Sequence, residues 1–319
     1  MDFKVTILNI LRRFYKQEPF TIFNGYVDFT AQKANDLMAQ RLQEGKPLMA
    51  AKFGSVELGV IGAYEIQKSF GVNDYFFDYM KGKIPDLYND KILNCLCKNA
   101  GFFPNDVSLG EKYYQMMQDD MRQIDILSSY LYEEKYVHQY LNCTRVDLEG
   151  FYAPFLWNNP WTKVLEDKKV LVVHPFVESI RYQYENNRTK LFDNPDVLPE
   201  FKELLTIKAV QTIADQKDER FDSWFDALDY MKNEISKLDF DIALIGCGAY
   251  GMCLAAHVKR MGKQAVHLAG WTQMLFGVYG SRWLNDQPQY SKFINDYWMR
   301  PLDSEKPKGL EKVENGCYW

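Results

Sequence analysis

The chain has 319 residues, 47% of them hydrophobic and 15% aromatic, with a formal net charge of -5. This apolar content suffices for a large core in one or two domains. The acidic balance, with no basic stripe carrying interleaved aromatics, argues against nucleic acid as a partner, and no stretch approaches the roughly 18 apolar residues of a membrane-spanning helix.

The opening segment from Lys4 to Phe14 is apolar and then basic. A secretory signal runs the other way, so the expected location is the cytoplasm. An ordinary packed helix is expected for residues 4 to 14, with peripheral contact at a membrane as the alternative. The six cysteines, at positions 95, 97, 143, 247, 253 and 317, have neither paired metal-ligand spacing nor the density of a disulfide scaffold, and read as reduced core residues.

Thr30 is placed to cap a helix whose apolar positions Ala34, Leu37, Met38 and Leu42 follow helical spacing, ended by Gly45 and Pro47. Residues 1 to 46 thus form an N-terminal helical segment. Pro47 to Phe53 reads as a buried strand broken by Gly54, after which Val56, Leu58, Val60, Ile61 and Ala63 suit a helix starting close to Ser55 and Glu57. Ser108 and Glu111 form a capping-box pattern ahead of a helix face of Tyr113, Met117 and Met121, and Ile124 to Leu127 is the next strand. Lys169 to Phe176 is a strand ending in His-Pro, since proline cannot continue a central strand.

Val177 to Leu205 reads as a helix and then an irregular loop, and Ile207 to Ile213 as a strand. Asp222 opens a helix with Trp224, Leu228, Met231 and Ile235 on one face. Phe240 to Ile245, Ala249 to Met261 and Gln264 to Ala269 form a strand–helix–strand unit. Residues 299–319 end in Gly316-Cys-Tyr-Trp319, whose aromatic pair suits a docked tail. The alternation predicts a single elaborated α/β domain over residues 1–319: Rossmann-like and doubly wound, a mostly parallel sheet with helices on both faces.

Gly246-Cys-Gly248-Ala249-Tyr250-Gly251 fits G-x-G-x-x-G between a predicted strand and a predicted helix. Such glycines permit a tight turn and close approach of a phosphate, and the helix start favours an anion through its N–H groups and dipole. The plainer reading is that they only let helix and strand pack closely. A dinucleotide site also calls for an acidic residue at the end of the following strand. His267-Leu-Ala-Gly-Trp271 has none, which demotes an NAD(P)-dependent oxidoreductase.

Ser55 and Glu57 stand at another strand mouth. Glu57 is a candidate general base or metal ligand, and as a first-turn glutamate it also complements the helix dipole. His174, Glu178 and Arg181 follow the third clear strand, where Arg can pair with phosphate and His can hydrogen-bond it. Gly270 to Trp283, with Gln273 and Arg282, reads either as a substrate-lining loop or as a connector packed by its aromatics.

Two segments carry a resemblance. Lys52-Phe-Gly-Ser-Val-Glu-Leu58 resembles the Arg-Phe-Gly-Asp-Gly-Glu-Leu signature of bacterial glycosyltransferases with the GT-D fold. Ile245 to Gly251 with Gly262 to Leu268 is similar to their C-terminal strand, glycine turn, helix and strand. The whole chain also resembles a family found in bacterial surface-polysaccharide loci, through His-Pro-Phe, Gly-Ala-Tyr-Gly and Phe-Gly-x-x-Gly-x-Arg-Trp in the same order.

The resemblance implies transfer of a sugar from a nucleotide-diphosphate donor to a saccharide acceptor. Glu57 would stand in the reaction centre, with Gly54, Ser55, the Gly246 to Gly251 turn, His174, Glu178, Arg181, Gln273 and Arg282 toward the donor. In the GT-D pattern an Asp-x-Glu pair serves donor and metal binding; Glu57 matches the glutamate, and Ser55 replaces the aspartate. No tightly bound cofactor is expected, and Mn²⁺ or Mg²⁺ would travel with the donor. The alternatives are another Rossmann-like nucleotide enzyme, such as an oxidoreductase, and a non-catalytic binding subunit of a glycan-assembly complex.

Overall fold

In the computed structural model, which describes residues 3–16, 27–68, 75–83, 87–214, 216–313 and 316–319, seven strands pair in parallel. They are β1 (Leu48–Lys52), β2 (Ile126–Ser128), β3 (Thr144–Val146), β4 (Lys169–His174), β5 (Glu203–Lys208), β6 (Ile242–Ile245) and β7 (Gln264–His267), in the spatial order β3-β2-β1-β7-β6-β4-β5. The helices are α1 (Phe3–Arg12), α2 (Ala31–Gln43), α3 (Ser55–Lys68), α4 (Tyr75–Met80), α5 (Asp90–Ala100), α6 (Val107–Met121), α7 (Leu148–Tyr152), α8 (Val177–Asn187), α9 (Trp224–Ser236), α10 (Tyr250–Arg260), α11 (Trp271–Leu275) and α12 (Arg282–Asn285).

Side chains alternate between two cores, as the two-residue period of a strand requires. Leu48 and Ala50 of β1, Val170 and Val172 of β4, and Ile242 and Leu244 of β6 enter one core; Met49 and Ala51, Leu171 and Val173, and Ala243 and Ile245 enter the other. The first is closed by α2, α7, α8, α11 and α12, the second by α3, α5, α6, α9 and α10. Helices on both faces explain why these strands are continuous apolar runs. The fold is α/β, Rossmann-like and doubly wound, as expected. No helix among the described residues is long and apolar enough to cross a membrane.

Some local expectations shift. The strand expected at Ile207 to Ile213 starts earlier, because β5 pairs with β4 from Lys169↔Glu203 to His174↔Lys208. Once β4 ends at His174, the chain beyond Ala209 has no strand to pair with among the described residues and runs on as a wall of the cleft described below. The helix expected from the Ser108 capping box begins at Val107, with Asp106 as its cap, accepting from the Ser108 amide at 2.8 Å. Ser223, not Asp222, caps α9, exchanging hydrogen bonds with Asp226. Thr30 holds its cap position without a side-chain bond, and the Ala31 amide donates to Asp147 instead, at 3.1 Å.

The order of strands sets where a ligand can enter. From β4 the chain crosses outward to β5, and from β6 it crosses the opposite way to β7, yet β4 and β6 are neighbours. Between them the two crossovers diverge, leaving a crevice at the carboxyl ends of the strands. Open α/β sheets place ligands at such a switch point.

Candidate functional site

A cleft of about 210 Å³ opens at that crevice. The exit of β1 contributes Gly54, Ser55 and Glu57, the exit of β4 contributes His174, and the exit of β6 contributes Gly246 and Gly248. Tyr250, Gln273 and Arg282 also line it, so sequence positions far apart meet here. Ala249 and Gly251 belong to the same turn without lining the cleft.

Glu178 and Arg181 do not reach it. Helix α8 buries Val177, Ser179, Ile180 and Gln183, which turns positions 178 and 181 outward. Arg181 donates to the Thr206 hydroxyl at 2.6 Å and pairs with Glu185 at 3.8 Å, while Glu178 pairs with Lys208 at 3.5 Å. The N-terminus of α8 is closed to an outside anion as well. The buried Glu305 carboxylate accepts from the amides of Glu178 at 2.8 Å and Ser179 at 3.0 Å.

The glycine turn after β6 has the shape expected of an anion cradle, and the protein fills much of it. Gly248 is left-handed (φ 54°) and Ala249 right-handed (φ -60°), an arrangement that turns successive N–H groups toward one point. The oxygen at that point is the carbonyl of Ala100, the last residue of α5, which accepts from the Ala249 amide at 3.0 Å. A Cβ on Gly248 would stand 2.6 Å from the same oxygen. The other glycines serve packing: a Cβ on Gly251 would meet His267 Nε2 at 2.1 Å, and one on Gly246 the Ala269 carbonyl at 2.3 Å. The plainer reading of the motif is thus the better account of Gly251 and Gly246.

The turn after β7 repeats this backbone without a glycine pattern to announce it. Ala269 is left-handed at φ 52° and Gly270 right-handed at φ -61°. Both line the cleft, and among the described residues neither amide has a hydrogen-bond partner. Tyr318 packs over Gly270, and Gln273, almost wholly buried, donates from Nε2 to the Tyr318 carbonyl at 3.1 Å. The tail is therefore docked and forms one wall. Arg282 stacks on the Tyr318 ring at 4.4 Å and donates to Cys317 Sγ at 3.2 Å.

Charge gathers at the β1 exit. Lys52 ends an otherwise apolar strand, is buried, donates to the Phe53 carbonyl at 3.3 Å and sits 5.2 Å from the Tyr130 ring centre. Tyr130 donates to that same carbonyl at 2.8 Å. Burial, and after it the Glu57 charge, push the Tyr130 phenol up, while Arg282 pulls it down, so both charges act on one phenol. Glu57 is half-buried and its carboxylate folds back over the turn: a Cβ on Gly54 would lie 1.9 Å from Glu57 Oε2. Ser55 is exposed at the first position of α3.

His174 is a fixed neutral donor. The Phe176 amide donates to its Nδ1 at 3.0 Å, which leaves the ring proton on Nε2. Burial holds its pKa down to about 3, so the ring stays uncharged at neutral pH. Nothing among the described residues hydrogen-bonds to Nε2.

No group of three or more His, Cys, Asp or Glu side chains among the described residues is spaced to hold a metal ion. Glu57 beside a hydroxyl is a poor donor set for a hard divalent cation, which favours several oxygen ligands with more charge. Lys52 and Tyr130 are site residues that sequence reasoning did not single out. A lysine closing an apolar strand was the available signal for the first; Tyr130 offered none.

Together these features define a doubly wound parallel α/β protein with a mixed-charge cleft at the carboxyl edge of its sheet. No family model matches the chain, and no curated protein or solved structure matches it significantly.

Proposed function

We propose that the cleft binds a nucleoside-diphosphate sugar and transfers the sugar to a hydroxyl of a saccharide acceptor, as a glycosyltransferase of the GT-D kind acting in surface-polysaccharide assembly in the cytoplasm. The observation that supports this most is the meeting of the Glu57 carboxylate with Lys52, Arg282 and the neutral His174 around the cleft at the switch point. Glu57 takes the proton of the acceptor hydroxyl as its oxygen bonds to the anomeric carbon of the donor. The bond from that carbon to the diphosphate breaks, and the departing negative charge meets Lys52, Arg282, His174 Nε2–H and the amides of Ala269 and Gly270. The aromatic side chain of Trp319, which also lines the cleft, suits a sugar or base ring. Divalent metal, where used, arrives with the diphosphate.

The fold of Glu57 over Gly54 also favours a second reading, in which this side chain only caps α3 and takes no part in the chemistry. Glu57→Gln separates the two. Loss of a helix-end charge should cost at most about 1 kcal/mol of stability in either case. If Glu57 is the base, turnover of a nucleotide sugar should fall about a hundredfold or more. Parental turnover would leave it only the cap.

A further inference from the structure

Helix α1 meets the rest of the protein along one side. Leu8 is buried in a cluster with Ile66, Tyr79, Met80 and Tyr136, Asn9 accepts from the Tyr79 hydroxyl, and the Arg12 guanidinium stacks on the Tyr79 ring at 4.6 Å. On the other side Ile7, Ile10, Leu11 and Phe14 are 40%, 51%, 45% and 82% exposed. Their spacing of three, four and seven residues puts them on one face. The helical turn continues past Arg12 to include Phe14, whose amide donates to the Leu11 carbonyl at 3.0 Å.

The charge of this segment is opposite to that of the protein. Residues 3 to 16 contain Lys4, Arg12, Arg13 and Lys16 and no Asp or Glu, in a chain of net charge -5. Arg13 and Lys16 of the same segment are exposed. A second copy of this helix would bring like charges together across a twofold contact. An anionic lipid surface complements both features, with apolar side chains entering the headgroup boundary while the cations meet lipid phosphates.

We propose that α1 lies in the interface of an anionic lipid bilayer and docks the protein there. None of its described residues lines the cleft, so this inference stands or falls apart from the glycosyltransferase reading.

Co-sedimentation of the full chain with vesicles tests it. The parent should pellet with phosphatidylcholine vesicles containing phosphatidylglycerol, and roughly tenfold less with phosphatidylcholine alone. Ile10→Ser with Phe14→Ser should abolish binding at an unchanged melting temperature, because both side chains are exposed. Arg13→Gln with Lys16→Gln should weaken it by roughly tenfold. The proposal is overturned if the parent stays in solution with anionic vesicles, or if the Ile10/Phe14 variant pellets like the parent. It is equally overturned if the parent ignores vesicles and self-associates through this face, shown by a dimer mass that the same variant removes.

Discussion

The turns that leave β6 and β7 are near copies in backbone and opposite in what they hold. Gly248 and Ala249 are left-handed and then right-handed, at φ 54° and -60°; Ala269 and Gly270 repeat the pair at 52° and -61°. The first turn matches a glycine motif, and its concavity holds the Ala100 carbonyl. The second matches no motif, sets an alanine where left-handed backbone costs about 1–2 kcal/mol, and leaves two amides open to the cleft. A glycine pattern reports a backbone shape that suits an oxygen. Which oxygen fills it is decided by the rest of the fold.

The largest effect expected on this pair of turns is that of acid. His174 packs against Gly246 and His267 against Gly251, and burial holds both imidazoles down to about 3 from the ordinary 6.5. Below pH 6.5 the unfolded chain takes up protons that the native rings refuse, so stability falls with pH. Each histidine should remove about 2 kcal/mol between pH 6.5 and 5, or about 4 kcal/mol together. Urea titrations at pH 7 and pH 5 check this; equal midpoints would mean that the rings are not held neutral.

Gly248→Val breaks the first turn directly. A glycine kept only to let a phosphate approach could take a side chain with little loss of stability. With the Ala100 carbonyl 2.6 Å from the new Cβ and the backbone left-handed, the loss should instead be about 3 kcal/mol or more, read as a lowered melting temperature. A variant as stable as the parent would mean that α5 does not close this turn. The smallest effect belongs to the second turn, where Ala269→Gly should stabilise by up to about 1 kcal/mol with ligand binding retained. Destabilisation would show that the alanine methyl contributes packing that outweighs its backbone cost.

The sheet was legible because strands covered on both faces are plain apolar runs, and β1, β4, β6 and β7 stand where those runs fall. β3 has only three residues, two of them half-exposed, and no local pattern marks it. Helix α5 had usable signals in Asn89, which caps it, and left-handed Gly101, which ends it. What no window of sequence shows is where its last carbonyl lands, 149 positions before the amide of Ala249 that it meets. The same holds at α8, whose N-terminus is taken by Glu305 from 126 residues away. Gly54, Glu57, His174, Gln273 and Arg282 were legible because each follows a strand exit. Glu178 and Arg181 also follow one, yet the buried face of α8 turns them away.

Calorimetric titration of the full chain with uridine diphosphate and, separately, NADH tests the central claim most directly. The diphosphate should bind, NADH should bind far more weakly, and Arg282→Gln should weaken diphosphate binding by roughly tenfold or more, as expected for a charged hydrogen bond to phosphate. Tight binding of NADH, or diphosphate affinity untouched in the Arg282 variant, would contradict it.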